Sequence, residues 1–340
     1  MDLVIGTGDG LFLADGGGAP RAALELKGRF VRHLSRIGDC HYAGTDAGLF
    51  RSRDGGGRWE PWGLQGHVVW DLAADPHDPD ALVAGTQPPA VFHSRDGGRT
   101  WRDLTAFRAV PGADRWWVPF TPPEPACARS VALDPDRAGH WWVGVEVGGL
   151  LRTQDAGQTW TVELPGCPPD VPVNPDIHTV VLHPGRRVLF ATTGYGRIDL
   201  SEPRDRRSAG VFASDDGGRS WRYLWAGIQP RYVRPMCLDP RPPHALTVGA
   251  APLTSSSSRD PGGAQAMLYR SDDAGATWRS LGDEAHSPGP GNFLSLTVDP
   301  EIAGGVLVGT DPGEVWRVSP SARWTLLASG LPEVHAVAVR

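Results

Sequence analysis

Five residues ahead of a recurring Asp-Pro, or the place equivalent to it, stand Arg32, Trp70, Arg129, His178, Arg234, Leu294 and His335. The next position carries His33, Asp71, Ser130, Thr179, Pro235, Ser295 and Ala336. If these segments lie side by side, three guanidinium groups and two imidazoles converge. Planar guanidinium forks suit a carboxylate, phosphate or sulfate. The alternative is that acidic neighbours such as Asp71 or Glu146 neutralise the arginines, which then only fill space. A second set, Asp9, Asp46, Glu146 and Asp311, follows strand ends of the Gly-Thr type. Carboxylates beside a basic row can divide acid and base roles when their surroundings split their pKa values. Solvated turn aspartates are the plainer reading. His33, His67, His178 and His335 offer a metal option. No His-x-His or His-Glu-x-x-His spacing supports it, so neither a metal nor another cofactor is expected.

Two aromatic groups can reach a ligand. Trp116-Trp117 lies in the longest insertion, and Tyr195 in Thr193-Gly194-Tyr195-Gly196. Trp117 and Tyr195 can stack on sugar rings or on a partner's side chains, or they can pin their loops. Trp141-Trp142 sits in an apolar run and reads as core.

The elements that position these residues repeat. Ser/Thr-x-Asp-x-Gly-x-x-Trp occurs at 52–59, 94–101, 153–160, 214–221 and 271–278. Its Gly supplies a turn with positive φ, its Asp accepts backbone N–H groups, the Ser or Thr does so more weakly, and its Trp opens the next strand. A strand-ending glycine or threonine recurs at Gly6, Gly44, Gly85, Gly144, Thr192, Gly249 and Gly309. Seven copies predict an all-β, seven-bladed β-propeller with four-stranded antiparallel blades, one domain over 1–340. Inner strands are expected at 31–37, 68–76, 128–135, 177–184, 233–240, 293–300 and 334–339. Strands at 3–7, 11–14 and 22–26 lack an inner partner, and 334–339 has nothing after it. The C-terminal strand therefore joins the N-terminal strands and closes the ring. Insertions at 103–126, 164–176, 194–209, 250–265 and 283–292 should decorate one face, which places the site there. The serine-rich stretch 254–260 is low in complexity.

The repeated turn resembles the Asp-box, or BNR repeat, of sialidases, xyloglucanases, sortilin-type receptors and photosystem assembly-factor propellers. The resemblance covers nearly the whole chain and implies the propeller fold. Xyloglucanases carry a catalytic Asp in an Arg-Thr-Asp-x-Gly-Gly-type stretch, which Gly44-Thr45-Asp46-Ala47-Gly48 resembles. That implies Asp46 as acid–base residue, then Asp311 in Gly309-Thr310-Asp311-Pro312-Gly313. Those enzymes take their second carboxylate from a second propeller, and this chain has one. The sialidase Phe-Arg-Ile-Pro is absent, although Arg32, Arg129 and Arg234 could imitate its arginine triad.

Composition narrows the classes. Among 340 residues are 44 Gly, 32 Pro and 14 Trp, as suits a turn-rich repeat protein. A net charge of −6 disfavours a nucleic-acid surface. There is no signal-peptide pattern at the start, no apolar run of membrane-span length, and no Cys-x-x-Cys. A cytoplasmic monomer without membrane contact is expected. Two functions stay open. One is binding of a polar ligand, anionic or carbohydrate-like, at the channel mouth by Arg32, Trp70, Asp71, Arg129, His178, Arg234, His335, Trp117 and Tyr195. As an enzyme it would be glycoside hydrolase- or lyase-like, with Asp46, Asp311 or Glu146 at work. The other is a non-catalytic scaffold that offers its arginine-rich face to a protein partner.

Overall fold

The computed structural model describes residues 1–16, 18–118, 122–195, 206–253, 259, 261–283 and 285–340. Seven four-stranded antiparallel sheets follow one another, as in a seven-bladed β-propeller. Their inner strands are Val31–Ile37, Val68–Ala74, Ala128–Leu133, Ile177–Leu182, Tyr232–Leu238, Phe293–Val298 and Val334–Val339. The last of these pairs with Leu3–Thr7, so one blade holds both chain ends. The expected outer strand at 22–26 is shorter. Arg21–Ala23 is strand, and Leu24–Leu26 is a 3-10 turn that carries Leu26 into the core. The chain divides into two compact units, residues 63–233 and the remainder. Parts of the insertions at 103–126, 194–209, 250–265 and 283–292, and all of 254–260 except Arg259, lie outside the described residues.

The recurring turn is closed by its own side chains. In all five copies the Ser or Thr hydroxyl donates to the Asp at 2.7–2.9 Å. The same oxygen accepts the Gly N–H at 2.7–3.0 Å. The Asp accepts the N–H four residues on at 2.8–2.9 Å. The hydroxyl and the carboxylate thus each close one side of the turn in every copy. Inner strands end on a second device: Asp75, Asp134, Asp239 and Asp299 each accept the N–H two residues on, an Asx-turn that starts the return.

The strand-ending glycines have a packing role. None of Gly6, Gly85, Gly144, Gly249 and Gly309 has positive φ. A methyl group at Gly85 would sit 2.4 Å from the Ala128 carbonyl oxygen, and one at Gly144 2.7 Å from Ile177. At Gly6 and Gly309 it would meet Val31 and Val334 at 2.7 and 2.5 Å. Each target lies on the next blade's inner strand, so the missing Cβ lets neighbouring blades touch.

Two outcomes follow. Ser214→Ala leaves the buried Gly218 N–H without its acceptor, and should lower unfolding free energy by about 1–3 kcal/mol in urea denaturation. The Thr100 hydroxyl and amide hold the Asp96 carboxyl down at about 2. Because its folded value lies below the usual ~3.9 of an unfolded Asp, its contribution is complete above that pH and lost as pH falls toward about 2. Asp96→Asn should flatten the acid limb of a stability–pH curve over that window.

Candidate functional site

One residue stands out of the ladder in each inner strand whose register is described. The pairing skips Arg32, Trp70, Arg129, His178, Leu294 and His335. These are six of the seven residues that the sequence groups into one row, and each is a β-bulge. A bulge leaves its residue unpaired and re-aims the side chain. Directly after it, a glycine of the neighbouring strand faces the inner strand in five of these six, as in Ser130–Gly144 and Asp71–Gly85, and Thr192 faces Thr179 in the sixth. The same spacing therefore makes both the blade contact and the aimed side chain.

In the unit of residues 63–233 the bulge residues meet. Arg129 Nη1 donates to Glu146 Oε2 at 2.7 Å, with both side chains largely buried. Burial opposes the Arg129 cation, but Glu146 overrides it and holds the guanidinium above its ordinary pKa. The Cys127 thiol reaches the same Glu146 oxygen at 3.3 Å. The Arg129 guanidinium lies 5.2 Å from the Trp70 ring. Trp70 donates its indole N–H to Gln87, whose amide binds the Pro125 carbonyl. Pro125 pairs with Trp117 in a small hairpin of the long insertion. A hydrogen-bonded path thus runs from the bulge row to exposed Trp117. The Asp71 carboxylate accepts the N–H groups of Leu72 and Val131.

His178 is buried, and Asp176 almost so. Imidazole Nδ1 lies 2.7 Å from the Val233 carbonyl, and Nε2 lies 3.4 Å from the Tyr232 hydroxyl and 3.3 Å from Asp176 Oδ1. Asn174 fixes Asp176 by accepting its N–H, and ties itself to Gly194 and Ser208. A Cβ at Gly194 would fall 2.1 Å from Asp176 Oδ2, so only glycine leaves room for that carboxylate. Glu146 is presented by a turn whose next residue, Val147, has φ 56°, a left-handed conformation costly for a β-branched side chain.

Asp176 is the residue that the sequence reading missed. It stands two positions before His178, as Cys127 stands before Arg129 and Tyr232 before Arg234. Strand periodicity could have found it.

The other expected residues are placed differently. Tyr195 is buried against Tyr232 rather than open to a ligand. Trp116 is buried against Phe107, while Trp117 is 47% exposed, so one Trp pins the insertion and the other is displayed. In the second unit, the Arg32 guanidinium lies 3.9 Å from the Phe30 ring, against which His335 also packs. His335 approaches Glu333 at 3.3 Å. Arg234 is half-buried, and Asp46 is exposed. The Asp311 carboxylate is engaged by the backbone N–H and side-chain amide of Asn292.

The buried pair makes a measurable statement. Arg129→Met and Glu146→Gln should each cost about 3–5 kcal/mol in urea denaturation, because each strands its partner. The double variant should cost less than their sum; additive losses would show that the two groups are not coupled.

No family model matches this sequence. The oligoxyloglucan-reducing end-specific xyloglucanase of Emericella nidulans is 25% identical over 254 residues, 67% of this chain and 29% of that protein. The chain spans less than a third of the length of the curated relatives it matches. Among solved structures, the GH74 enzyme of Niastella koreensis is similar with a TM-score of 0.63 at 17% identity, over 96% of this chain and 47% of that one. YCF48 bound to a D1 peptide gives 0.56 at 16%, over 87% and 81%. At these identities the likeness to solved structures is one of fold, and the shared fold is the β-propeller.

Proposed function

We propose that the chain is a carbohydrate-recognising propeller of the glycoside hydrolase-like kind, with the bulge row of residues 63–233 as its ligand face. The observation that carries this reading is the cluster of Arg129, Glu146, Asp176, His178 and Tyr232, gathered at two adjacent bulges. The likeness in sequence to xyloglucanases supports the ligand class. The charges at this cluster support a neutral polar ligand over an anion. Arg129 is offset by Glu146, and Asp176 adds a second carboxylate. An anion would meet both carboxylates, whereas a neutral polyol can hydrogen-bond to both signs. In this reading Arg129 and His178 orient the ligand, while Trp70 and exposed Trp117 stack on it. Glu146 is the acid–base candidate, because a second carboxylate, Asp176, lies near it. Arg32, Arg234 and His335 belong to the other unit and are secondary.

The scaffold reading keeps one specific observation: Trp117 is displayed on a loop anchored by the packing of Trp116 on Phe107. Such a side chain suits a protein partner as well as a sugar.

Thermal shift with xyloglucan oligosaccharides, glucuronate and phosphate separates these readings. Neutral oligosaccharide at about 100 times its Kd should add roughly 2.7 kcal/mol of stability, and Trp117→Ala should reduce the shift. Release of reducing ends by the parent chain and not by Glu146→Gln, assayed where urea denaturation shows the variant folded, would establish hydrolysis with Glu146 at work. A response to the anions only, or to none of these ligands, would overturn the carbohydrate reading.

A further inference from the structure

In the unit of residues 1–62 and 234–340, a cavity of about 300 Å³ opens at the blade whose inner strand is Phe293–Val298. Trp316, Trp324, Phe293 and His286 supply its aromatic lining, and Glu314 its carboxylate. The rings pack on one another. His286 lies parallel to Trp324 with centroids 5.2 Å apart, and meets Trp316 edge to face at 4.5 Å. Trp324 donates its indole N–H to the Leu281 carbonyl of the preceding blade at 2.8 Å, which fixes that ring. Gly289 and Gly291 bring the insertion against the cavity. Gly289 exchanges backbone hydrogen bonds with Ala266, and a Cβ at Gly291 would fall 2.4 Å from Pro312. Trp316 and Trp324 are only half-buried, so aromatic surface is open to a ligand.

The charge in this cavity has one sign. Glu314 Oε2 accepts the Trp316 indole N–H at 2.8 Å. That fills one of roughly four acceptor positions on a carboxylate, and no basic side chain pairs with Glu314 among the described residues. The described lining holds no Arg or Lys, in a chain with 33 of them. The Asp283 carboxylate stands 2.7 and 2.8 Å from Nδ1 of His286. Whichever charge that ring carries, Asp283 is placed to offset it, and Glu314 keeps the balance negative. Asp311, next to the lining Pro312, is held by the neutral donors of Asn292.

We propose that this cavity binds the arginine side chain of a protein or peptide partner. A guanidinium is planar and weakly hydrated, stacks on aromatic faces and donates its N–H fork to a carboxylate. Trp is the strongest ring for that contact, and the carboxylate on the Trp316 N–H polarises it further. An anion would meet Glu314 with nothing to neutralise it, and a neutral sugar would use the rings but not the charge. A volume of about 300 Å³ is at the small end of ligand sites, as suits one side chain. The inference does not rest on the carbohydrate reading, which concerns the other unit.

The test uses the whole chain with capped Gly-Arg-Gly, its citrulline analogue, free arginine and a xyloglucan oligosaccharide. Indole proton–nitrogen NMR should show a saturable shift of the Trp316 signal with Gly-Arg-Gly, the signal being identified by its loss in Trp316→Phe. Glu314→Gln keeps an acceptor for the indole N–H, and should weaken that affinity by at least about tenfold, as for a hydrogen bond to a charged group. The citrulline peptide, matched in shape but uncharged, should lose a similar factor. The capped peptide should bind at least as tightly as free arginine. A thermal unfolding curve checks that Glu314→Gln folds; should it not, the citrulline comparison decides. No saturable shift, equal affinity for citrulline, or unchanged affinity in folded Glu314→Gln would each overturn the proposal. Tighter binding of the oligosaccharide would overturn it in favour of a sugar, and tighter binding of free arginine in favour of a small molecule.

Discussion

At Gly6, Gly85, Gly144, Gly249 and Gly309 the strands approach so closely that only a residue without a Cβ fits without its neighbours giving way, while Thr192 holds the equivalent place in one blade. Where Gly85 and Gly144 face Ala128 and Ile177, a methyl group would overlap backbone or side chain by more than packing can absorb. The contact recurs at Gly6, Gly249 and Gly309 in the other unit. It lies beside the bulge of the inner strand, where the ladder gains one residue. The glycine sets how near two blades stand, and the bulge turns one side chain out of each ladder. The Ser–Asp turn adds a local closure at the hairpins without long-range partners. Stability and site thus come from neighbouring stretches of the same repeat.

This coupling explains why so much of the fold was legible. A glycine that must lack a side chain, an Asp that must cap a turn and a Trp that must open a strand each leave a fixed residue type at a fixed spacing. Seven sheets, their inner strands and the blade that joins both chain ends follow from those marks. The error at 22–26 has the same logic in reverse. That outer strand carries no such marker, and Leu26 is buried from a 3-10 turn rather than from a strand.

The site was legible only in part, because its chemistry is set between blades. The row was found from its distance to the Asp-Pro, yet nothing in one strand reveals that its residue is unpaired. Arg129 and Glu146 were separately visible as a ligand residue and an acid–base residue. Their mutual neutralisation, which changes the ligand either could take, depends on how a turn folds back over a strand. Asp176 closed an insertion in the linear reading. It became a site residue once Asn174 and Gly194 were seen to hold it against His178.

The repeat itself shows that these charges are not demanded by the fold. Leu294 occupies the same bulge as Arg129 and His178, half-buried and apolar, in a blade with the same strand order. A bulge can therefore be filled by a hydrocarbon side chain. Burying a guanidinium, two carboxylates and an imidazole costs several kcal/mol per ion before their attraction is counted, and apolar replacements are often neutral or better. Val147 adds a strained backbone at the turn that presents Glu146. Two adjacent blades bear a cost that a third blade of this chain avoids at the equivalent place. That contrast, drawn within a single sequence, is what favours ligand chemistry over blade packing in the function proposed for the cluster.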